Sequence, residues 1–188
     1  MLDGRANQER GQALKTHISI LSPTAILGYG FPETSFREGL SRNPDAIAVD
    51  AGSTDPGPYY LGSGESFTNR DAVKRDLLLI IKAGLKKNIP VLIGTAGGSG
   101  ARPHLQWSLE IIEDVLSDLN RRALVAEISS DQDPDIVVDA LNSGRISGLG
   151  PVPTLDVEAI QNSSHIVAQM GVEPVIEALE SGAQIGVT

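Results

Sequence analysis

Five short runs of aliphatic residues, each followed by a polar or glycine-rich loop, constrain the fold of this chain most. They lie at residues 17–21, 46–49, 89–93, 123–128 and 183–188. The stretches between them show helical periodicity, most clearly at residues 69–87 and 103–120. Strands that alternate with helices form right-handed crossovers and a parallel sheet. We therefore predict an α/β fold: a mostly parallel sheet of about five strands with helices on both faces, a Rossmann-like three-layer sandwich.

The remaining segments fit the same pattern. Further helices are predicted at residues 32–41 and 133–143, and a bent helical region at residues 154–181 with breaks near Gly171 and Pro174. Residues 51–67 have no regular periodicity. Compact domains seldom keep a loop longer than about 12–15 residues unless it is functional or disordered, so we expect a shaped functional loop here.

The domain organisation follows from these elements. Residues 1–16 are polar and mixed in charge, and we expect them to be frayed or disordered. Residues 17–188 are predicted to form a single α/β domain. Because the last predicted element is a strand without a following helix, we expect this domain to be truncated at its C-terminal end, as a piece of a longer chain.

Composition narrows the classes of partner and chemistry. The chain contains no cysteine, which excludes disulfides, thiolate metal sites and a cysteine nucleophile. Its formal net charge of -9 disfavours nucleic acid and anionic membrane surfaces as partners. The longest apolar stretch, residues 77–81, is far shorter than the roughly 20 residues that cross a bilayer. We therefore expect a cytoplasmic protein.

One glycine-rich loop follows the third predicted strand. Residues 94–104 read GTAGGSGARPH, and such a loop before a helix can direct backbone N–H groups at an anion. Arg102 could bind a carboxylate, and His104 could act as a neutral base near the positive helix end. The alternatives are a simple tight turn, a surface arginine and a histidine that packs on Pro103. Neither the dinucleotide fingerprint nor the Walker motif is present.

A second such loop follows the second predicted strand. Residues 50–64 read DAGSTDPGPYYLGSG, which places Asp50 at the strand end and Asp55 five residues later. These carboxylates and the intervening hydroxyls could bind a divalent metal or perform acid–base chemistry. Alternatively they only bond nearby backbone N–H groups. The prolines after Asp55 exclude the hairpin that a kinase-like phosphate loop would need.

The candidate site residues come from these two loops. We predict proton transfer by Asp50, Asp55 and His104. We predict substrate binding by Ser53, Thr54, Tyr59, Tyr60, Gly94, Thr95, Gly97, Gly98, Ser99, Gly100 and Arg102. His17 and His165 are expected to be structural and distant from this edge. No set of histidines and carboxylates has zinc-ligand spacing, so no metal site is predicted, and the sequence identifies no cofactor.

Four segments resemble the acyclic terpene utilisation AtuA family. They are LSPTAILGYGF at residues 21–31, DAGSTDPGPYYLG at residues 50–62, GTAGGSG at residues 94–100 and MGVEP at residues 170–174. The resemblance spans nearly the whole chain from Ile18. It implies a cytoplasmic protein of bacterial catabolic clusters that contain acyl-CoA carboxylases. It also implies further α/β structure beyond this chain and, in some members, a companion ferredoxin-like domain or subunit.

Two functional hypotheses follow. The first is a catabolic enzyme for a small organic acid or acyl-CoA, which would catalyse hydration, elimination, isomerisation or hydrolysis. Its small anionic substrate would bind at the C-terminal edge of the sheet. The second is a non-catalytic ligand-binding or accessory subunit of a catabolic enzyme complex. The resemblance supplies no catalytic residue, and a homo-oligomer is left open.

Overall fold

A five-stranded, entirely parallel sheet organises the chain. The computed structural model describes residues 16–52 and 58–188. Strands β1 (Ile20–Leu21), β2 (Ala46–Asp50), β3 (Val91–Gly94), β4 (Val125–Glu127) and β5 (Ile185–Val187) lie in the order β1-β2-β3-β5-β4. The last strand in the chain therefore occupies an interior position, between β3 and β4.

Helices connect the strands. They are α1 (Glu33–Ser41), α2 (Pro58–Ser63), α3 (Arg70–Lys87), α4 (Arg102–Asp118), α5 (Pro134–Asn142), α6 (Val157–Gln161) and α7 (Glu173–Glu180). The Asn69 side chain caps α3 by accepting hydrogen bonds from the N–H groups of Asp71 and Ala72. At the other end Asn88 adopts the left-handed conformation, which ends the helix.

The main hydrophobic core lies on one face of the sheet. Alternate strand residues such as Ile47, Ile93 and Ile185 are completely buried there against α3 and α4. Leu77 on α3 and Ile112 on α4 belong to the same cluster. Period-2 alternation in the strands and helical periodicity in α3 and α4 therefore bury their apolar side chains in one layer.

A smaller cluster covers part of the opposite face. Ala178 on α7 packs with Ile128 and Ala183, and Ala126 of β4 joins them. This arrangement completes the predicted α/β fold of three layers with helices on both sides of a parallel sheet. No helix in residues 16–52 and 58–188 has the length and apolar character that crossing a membrane requires.

Two differences from the predicted elements affect the candidate site. Residues 58–63 form the short helix α2 inside the segment that was expected to lack regular structure. The expected helical region at 154–181 is two short helices, α6 and α7, separated by chain without regular structure. Within that connecting segment Val167 forms an antiparallel bridge with Asp131.

Candidate functional site

An open crevice lies at the carboxyl edge of the sheet, where β2, β3 and β5 end side by side. Its volume is about 340 Å³. Eight residues line it: Ser22, Ala48, Val49, Asp50, Leu92, Ile93, Gly94 and Thr188. The floor is apolar, and the polar side chains at the rim belong to Ser22, Asp50 and Thr188. The ends of parallel strands are where α/β proteins commonly bind ligands, so this crevice is the candidate site.

Asp50 is held by its backbone while its side chain stays exposed. Its carbonyl oxygen accepts a hydrogen bond of 2.9 Å from the Leu27 N–H. Its Oδ1 accepts one of 2.8 Å from the Gly52 N–H. Among the described residues, no other group donates to this carboxylate. Within residues 16–52 and 58–188, the Asp50 carboxylate therefore lies at the crevice with one backbone hydrogen bond and further oxygen lone pairs.

The two glycine-rich loops lie against each other. A side chain on Gly52 would come within 2.9 Å of Thr95 Cβ and 3.1 Å of the Gly98 carbonyl oxygen. The Ala51 N–H donates to the Gly94 carbonyl oxygen at 2.8 Å. The start of the loop after β2 and the loop after β3 are thus in direct contact beside the crevice.

Most of the loop at residues 94–100 is packed into the protein. A Cβ on Gly97 would collide with His104, and one on Gly98 would collide with the Phe67 ring. Gly100 lies against Thr95 and the Ser130 hydroxyl, which donates to the Gly100 carbonyl oxygen at 2.8 Å. All three glycines also have positive φ. Close packing and backbone conformation therefore account for these glycines without a bound anion.

His104 lies in the interior at the start of α4. The residue is completely buried, and its Nε2 is 3.0 Å from the Tyr60 carbonyl oxygen and 3.1 Å from that of Glu65. Because carbonyl oxygens only accept, Nε2 carries the proton and donates. Nδ1 has no hydrogen-bond partner within the described residues. His104 does not line the crevice, so its placement favours a structural role, fastening α2 and the chain after it to α4.

The other predicted binding residues differ in how exposed their side chains are. Arg102 is exposed and, within the part of the chain that the structure describes, forms no ion pair. Tyr59 is exposed and meets Tyr60 edge to face, with ring centroids 5.3 Å apart. Thr95 is exposed and Ser99 half-buried. Ser53, Thr54 and Asp55 lie outside the described residues.

Asp76 is a residue of this edge that the sequence reasoning missed. Its carboxylate is buried on α3, and Oδ2 accepts hydrogen bonds from the N–H groups of Gly28 at 2.9 Å and Gly30 at 3.0 Å. Arg75 donates to the other oxygen. The available signal was an acidic residue inside the apolar stripe of α3, beside Val73 and Leu77.

His165 is also placed differently from the prediction. It lies in the irregular chain after α6, half-buried, and its Nε2 is 3.6 Å from where a Cβ on Gly64 would be. The neighbouring Ile166 carbonyl accepts from the Gln132 N–H, which holds this segment beside the chain that follows β4. His165 therefore lies beside Gly64 and Pro103 at the carboxyl edge, because the expected helix ends at α6.

No group of three or more histidine, aspartate or glutamate side chains within residues 16–52 and 58–188 is arranged to hold a metal ion. No protein-family model matches the chain. No solved structure matches it significantly.

Proposed function

We propose that the crevice is the active site of a catabolic enzyme that acts on the acyl group of a small organic acid, with Asp50 as the group that moves a proton. The observation that carries this proposal is the exposed Asp50 carboxylate at the end of β2, fixed through Gly52 and Leu27. A positioned carboxylate over an apolar floor is suited to general acid–base catalysis. Hydration, elimination, isomerisation and hydrolysis all need such a group.

The charge of the crevice favours a neutral reacting group. Among the described residues that line it, Asp50 is the one with a charged side chain. A free substrate carboxylate beside Asp50 would meet a like charge, whereas a thioester carbonyl would not. We therefore favour an acyl-CoA thioester over the free acid. Arg102, exposed at the start of α4, is available for an anionic part of the substrate that extends out of the crevice.

Membership of the AtuA family is part of the same proposal. The segments on which the resemblance rests contribute Ser22, Asp50 and Gly94 to one crevice. Because these three motifs meet at one crevice, their location supports the proposal that they serve one function. A cytoplasmic location and a companion ferredoxin-like domain or subunit, as the resemblance implies, belong to the proposal as well.

The test compares Asp50→Asn with the exposed-acid control Glu113→Gln on α4. Turnover of a panel of short acyl-CoA thioesters and the matching free acids is followed by mass spectrometry. We expect Asp50→Asn to reduce kcat by at least about 100-fold, a typical contribution of general acid–base catalysis, and to leave the thermal midpoint unchanged. Glu113→Gln should behave like the wild type. Full activity of Asp50→Asn would remove Asp50 from the mechanism, and a preference for free acids would contradict the charge argument.

The second candidate is a non-catalytic ligand-binding or accessory subunit. The openness of the crevice favours it, because a catalytic site normally excludes water around the reacting group. Absence of turnover across the panel, together with tight binding of a companion subunit, would support this alternative.

A further inference from the structure

Three neighbouring strands end level with one another at the crevice. Asp50 of β2 is paired with Gly94 of β3, and Ile93 is paired with Val187 of β5, so Thr188 lies at the level of Gly94. Ile93 and Val187 belong to the main core on one face of the sheet. Because successive residues of a strand point to opposite faces, Asp50 and Thr188 lie on the other face, with Gly94 between them.

The missing side chain of Gly94 makes room for the Thr188 hydroxyl. A Cβ on Gly94 would collide with Thr188 Oγ1, whereas it would be 3.7 Å from Thr188 Cβ and 4.0 Å from Cγ2. The hydroxyl is therefore the part of the side chain that lies over β3, on the side toward Asp50. Gly94 is not among the glycines with positive φ, so this space is a steric reason for a glycine here.

The spacing suits a small group between the two side chains. Neighbouring strands are about 4.8 Å apart, so the Cα atoms of Asp50 and Thr188, two strands apart, are separated by roughly 10 Å. The carboxylate and the hydroxyl enter this gap from opposite sides, and both line the crevice. The gap is therefore of the size that an acyl carbonyl with its neighbouring carbon atom can occupy.

Thr188 is held by its backbone, and its hydroxyl remains for a ligand. Its N–H donates to the Ile93 carbonyl oxygen at 2.9 Å, and its own carbonyl oxygen accepts from the Ala96 N–H at 2.6 Å. Within residues 16–52 and 58–188 the hydroxyl forms no hydrogen bond. A hydroxyl can donate one hydrogen bond, and a carbonyl oxygen can only accept. Thr188 therefore offers the crevice a positioned donor.

We propose that the Thr188 hydroxyl binds the carbonyl oxygen of the substrate acyl group and orients that group toward Asp50. This inference rests on the proposed function, which places an acyl group in the crevice. The Asp50 carboxylate repels a carbonyl oxygen, whereas a hydroxyl donor attracts it, so the oxygen faces Thr188. The carbon atom next to the carbonyl then lies on the Asp50 side, where a carboxylate can accept a proton.

The second hydroxyl of the crevice is a poorer donor to this carbonyl. Ser22 follows Leu21, which is paired with Ile47, so Ser22 lies at the level of Ala48 and not at that of Asp50. Its hydroxyl also donates to the Thr24 carbonyl oxygen at 3.5 Å. Ser22 is therefore the competing assignment that the experiment must separate from Thr188.

The test measures binding of two unreactive probes to the full 188-residue chain by titration calorimetry. The probes are S-acetonyl-CoA and S-propyl-CoA, which differ in a carbonyl against a methylene group and contain no thioester. We expect the wild type to bind the acetonyl probe at least about fivefold more tightly. Thr188→Val, which keeps the shape but removes the hydroxyl, should abolish this preference, and Thr188→Ser should retain it. Thr34→Val, at an exposed threonine of α1, is the control and should behave like the wild type.

A second variant tests the role of Gly94. Gly94→Ala should also reduce the preference, because its methyl group takes the space of the Thr188 hydroxyl. Three results would overturn the inference. They are a wild type that binds neither probe or both equally, an unchanged preference in Thr188→Val, and a preference that is lost in Ser22→Ala but not in Thr188→Val.

The two proposals fail in different ways. A preference that depends on Thr188 and survives Asp50→Asn, in a protein without turnover, would reject the catalytic role of Asp50 and leave the carbonyl-binding role of Thr188 in place. Turnover that depends on Asp50, with an unchanged probe preference in Thr188→Val, would reject the Thr188 assignment alone.

Discussion

Buried Asp76 shows how one side chain positions a loop that is distant in sequence. It lies 46 and 48 residues after the two glycines whose N–H groups it binds. Its side chain is only 1% exposed, and its charge is compensated both by the Arg75 guanidinium and by those two N–H donors. Because the same loop donates from Leu27 to the Asp50 carbonyl, Asp76 also helps to fix the rim of the crevice.

Asp76→Ala is expected to destabilise the protein by about 3 kcal/mol. The substitution removes a charged acceptor from two backbone donors in a partly buried loop, and hydrogen bonds to charged groups contribute roughly 1.5–3 kcal/mol each. Urea unfolding monitored by circular dichroism gives the free energy of unfolding. The exposed-acid control Glu113→Ala should change it by less than about 0.5 kcal/mol. Equal effects of the two variants would show that the Asp76 hydrogen bonds contribute little.

Single residues were predictable where a pattern was local. The position of Asp50 at a strand end followed from the aliphatic run before it and is found at the crevice. The proposed base role of His104 rested on the charge of a helix end, but the Tyr60 and Glu65 carbonyl oxygens that it contacts lie 44 and 39 residues away in sequence. Periodicity carries no information about such long-range partners, which is why Asp76 was also missed.

At the scale of elements, the loop between β3 and α4 is held by very close packing around its glycines. Gly98 has a φ of +101° and lies directly under the Phe67 ring. Gly62 in α2 has a normal helical environment, and nothing lies within 4 Å of a Cβ placed there. The two glycines therefore form a matched pair for testing which of them the packing requires.

Gly98→Ala is expected to lower the free energy of unfolding by roughly 2 kcal/mol or more, since the new methyl group both strains the backbone and displaces Phe67. Gly62→Ala should be neutral or stabilising by up to about 1 kcal/mol, because alanine favours helix over glycine. Thermal unfolding of both variants measures the difference. A Gly98→Ala protein as stable as Gly62→Ala would contradict the packing described here.

Helices α3 and α4 are also joined by exposed ion pairs whose pH response has a defined sign. The hydrogen bond from Arg70 lowers the pKa of Asp114 below 3.8, and the charge of Lys74 acts in the same direction. A lowered carboxyl pKa contributes stability above the unfolded-state pKa, and this contribution is lost as the pH falls through the folded-state value. The hydrogen bond to Asp118 raises the pKa of Lys74 above 10.5, so its contribution is lost only above that pH.

Asp114→Asn should therefore be less stable than the wild type at pH 6, and the difference should diminish as the pH falls below about 3.8. It should also diminish at 1 M salt, because the pair is exposed. Urea unfolding across this pH range gives the two free energies of unfolding. A difference that is constant from pH 6 to pH 3 would show that Asp114 does not act through its charge.

The long elements were predictable and the short ones were not. Helices α3 and α4 lie within about two residues of the predicted bounds because each repeats its apolar stripe over several turns. Helix α2 has six residues, PYYLGS, none of them buried, which is too short for periodicity. Between α6 and α7, Val167 forms a bridge with Asp131, a contact with a distant segment that periodicity does not reveal.

At the scale of the whole molecule, position in the sheet decides what each strand contributes. Strand β5 lies between β3 and β4, and its side chains are buried on both faces. Strand β1 lies at the edge of the sheet, and Ile20 in it is 62% exposed. The sequence predicted parallel strands but not this order, because both the edge and the interior strands consist of similar aliphatic residues.

Ile185→Ala in β5 and Ile20→Ala in β1 test this difference with one chemical change. We expect a loss of about 3 kcal/mol for Ile185→Ala, because the completely buried side chain leaves a cavity. Ile20→Ala should lose less than about 1 kcal/mol, since its side chain is mostly in water. Denaturant unfolding provides both values. Similar losses would mean that the edge and the interior are equally well packed.

The strand order also has a consequence for protein synthesis. A ribosome makes β4 about 60 residues before β5, yet among the described strands β4 pairs with β5 alone. During that interval β1, β2 and β3 can assemble with α3, while β4 has no neighbour to pair with. Sheet assembly therefore cannot follow the order in which the strands emerge, and the nascent chain exposes the β3 edge and β4 until residues 185–187 arrive.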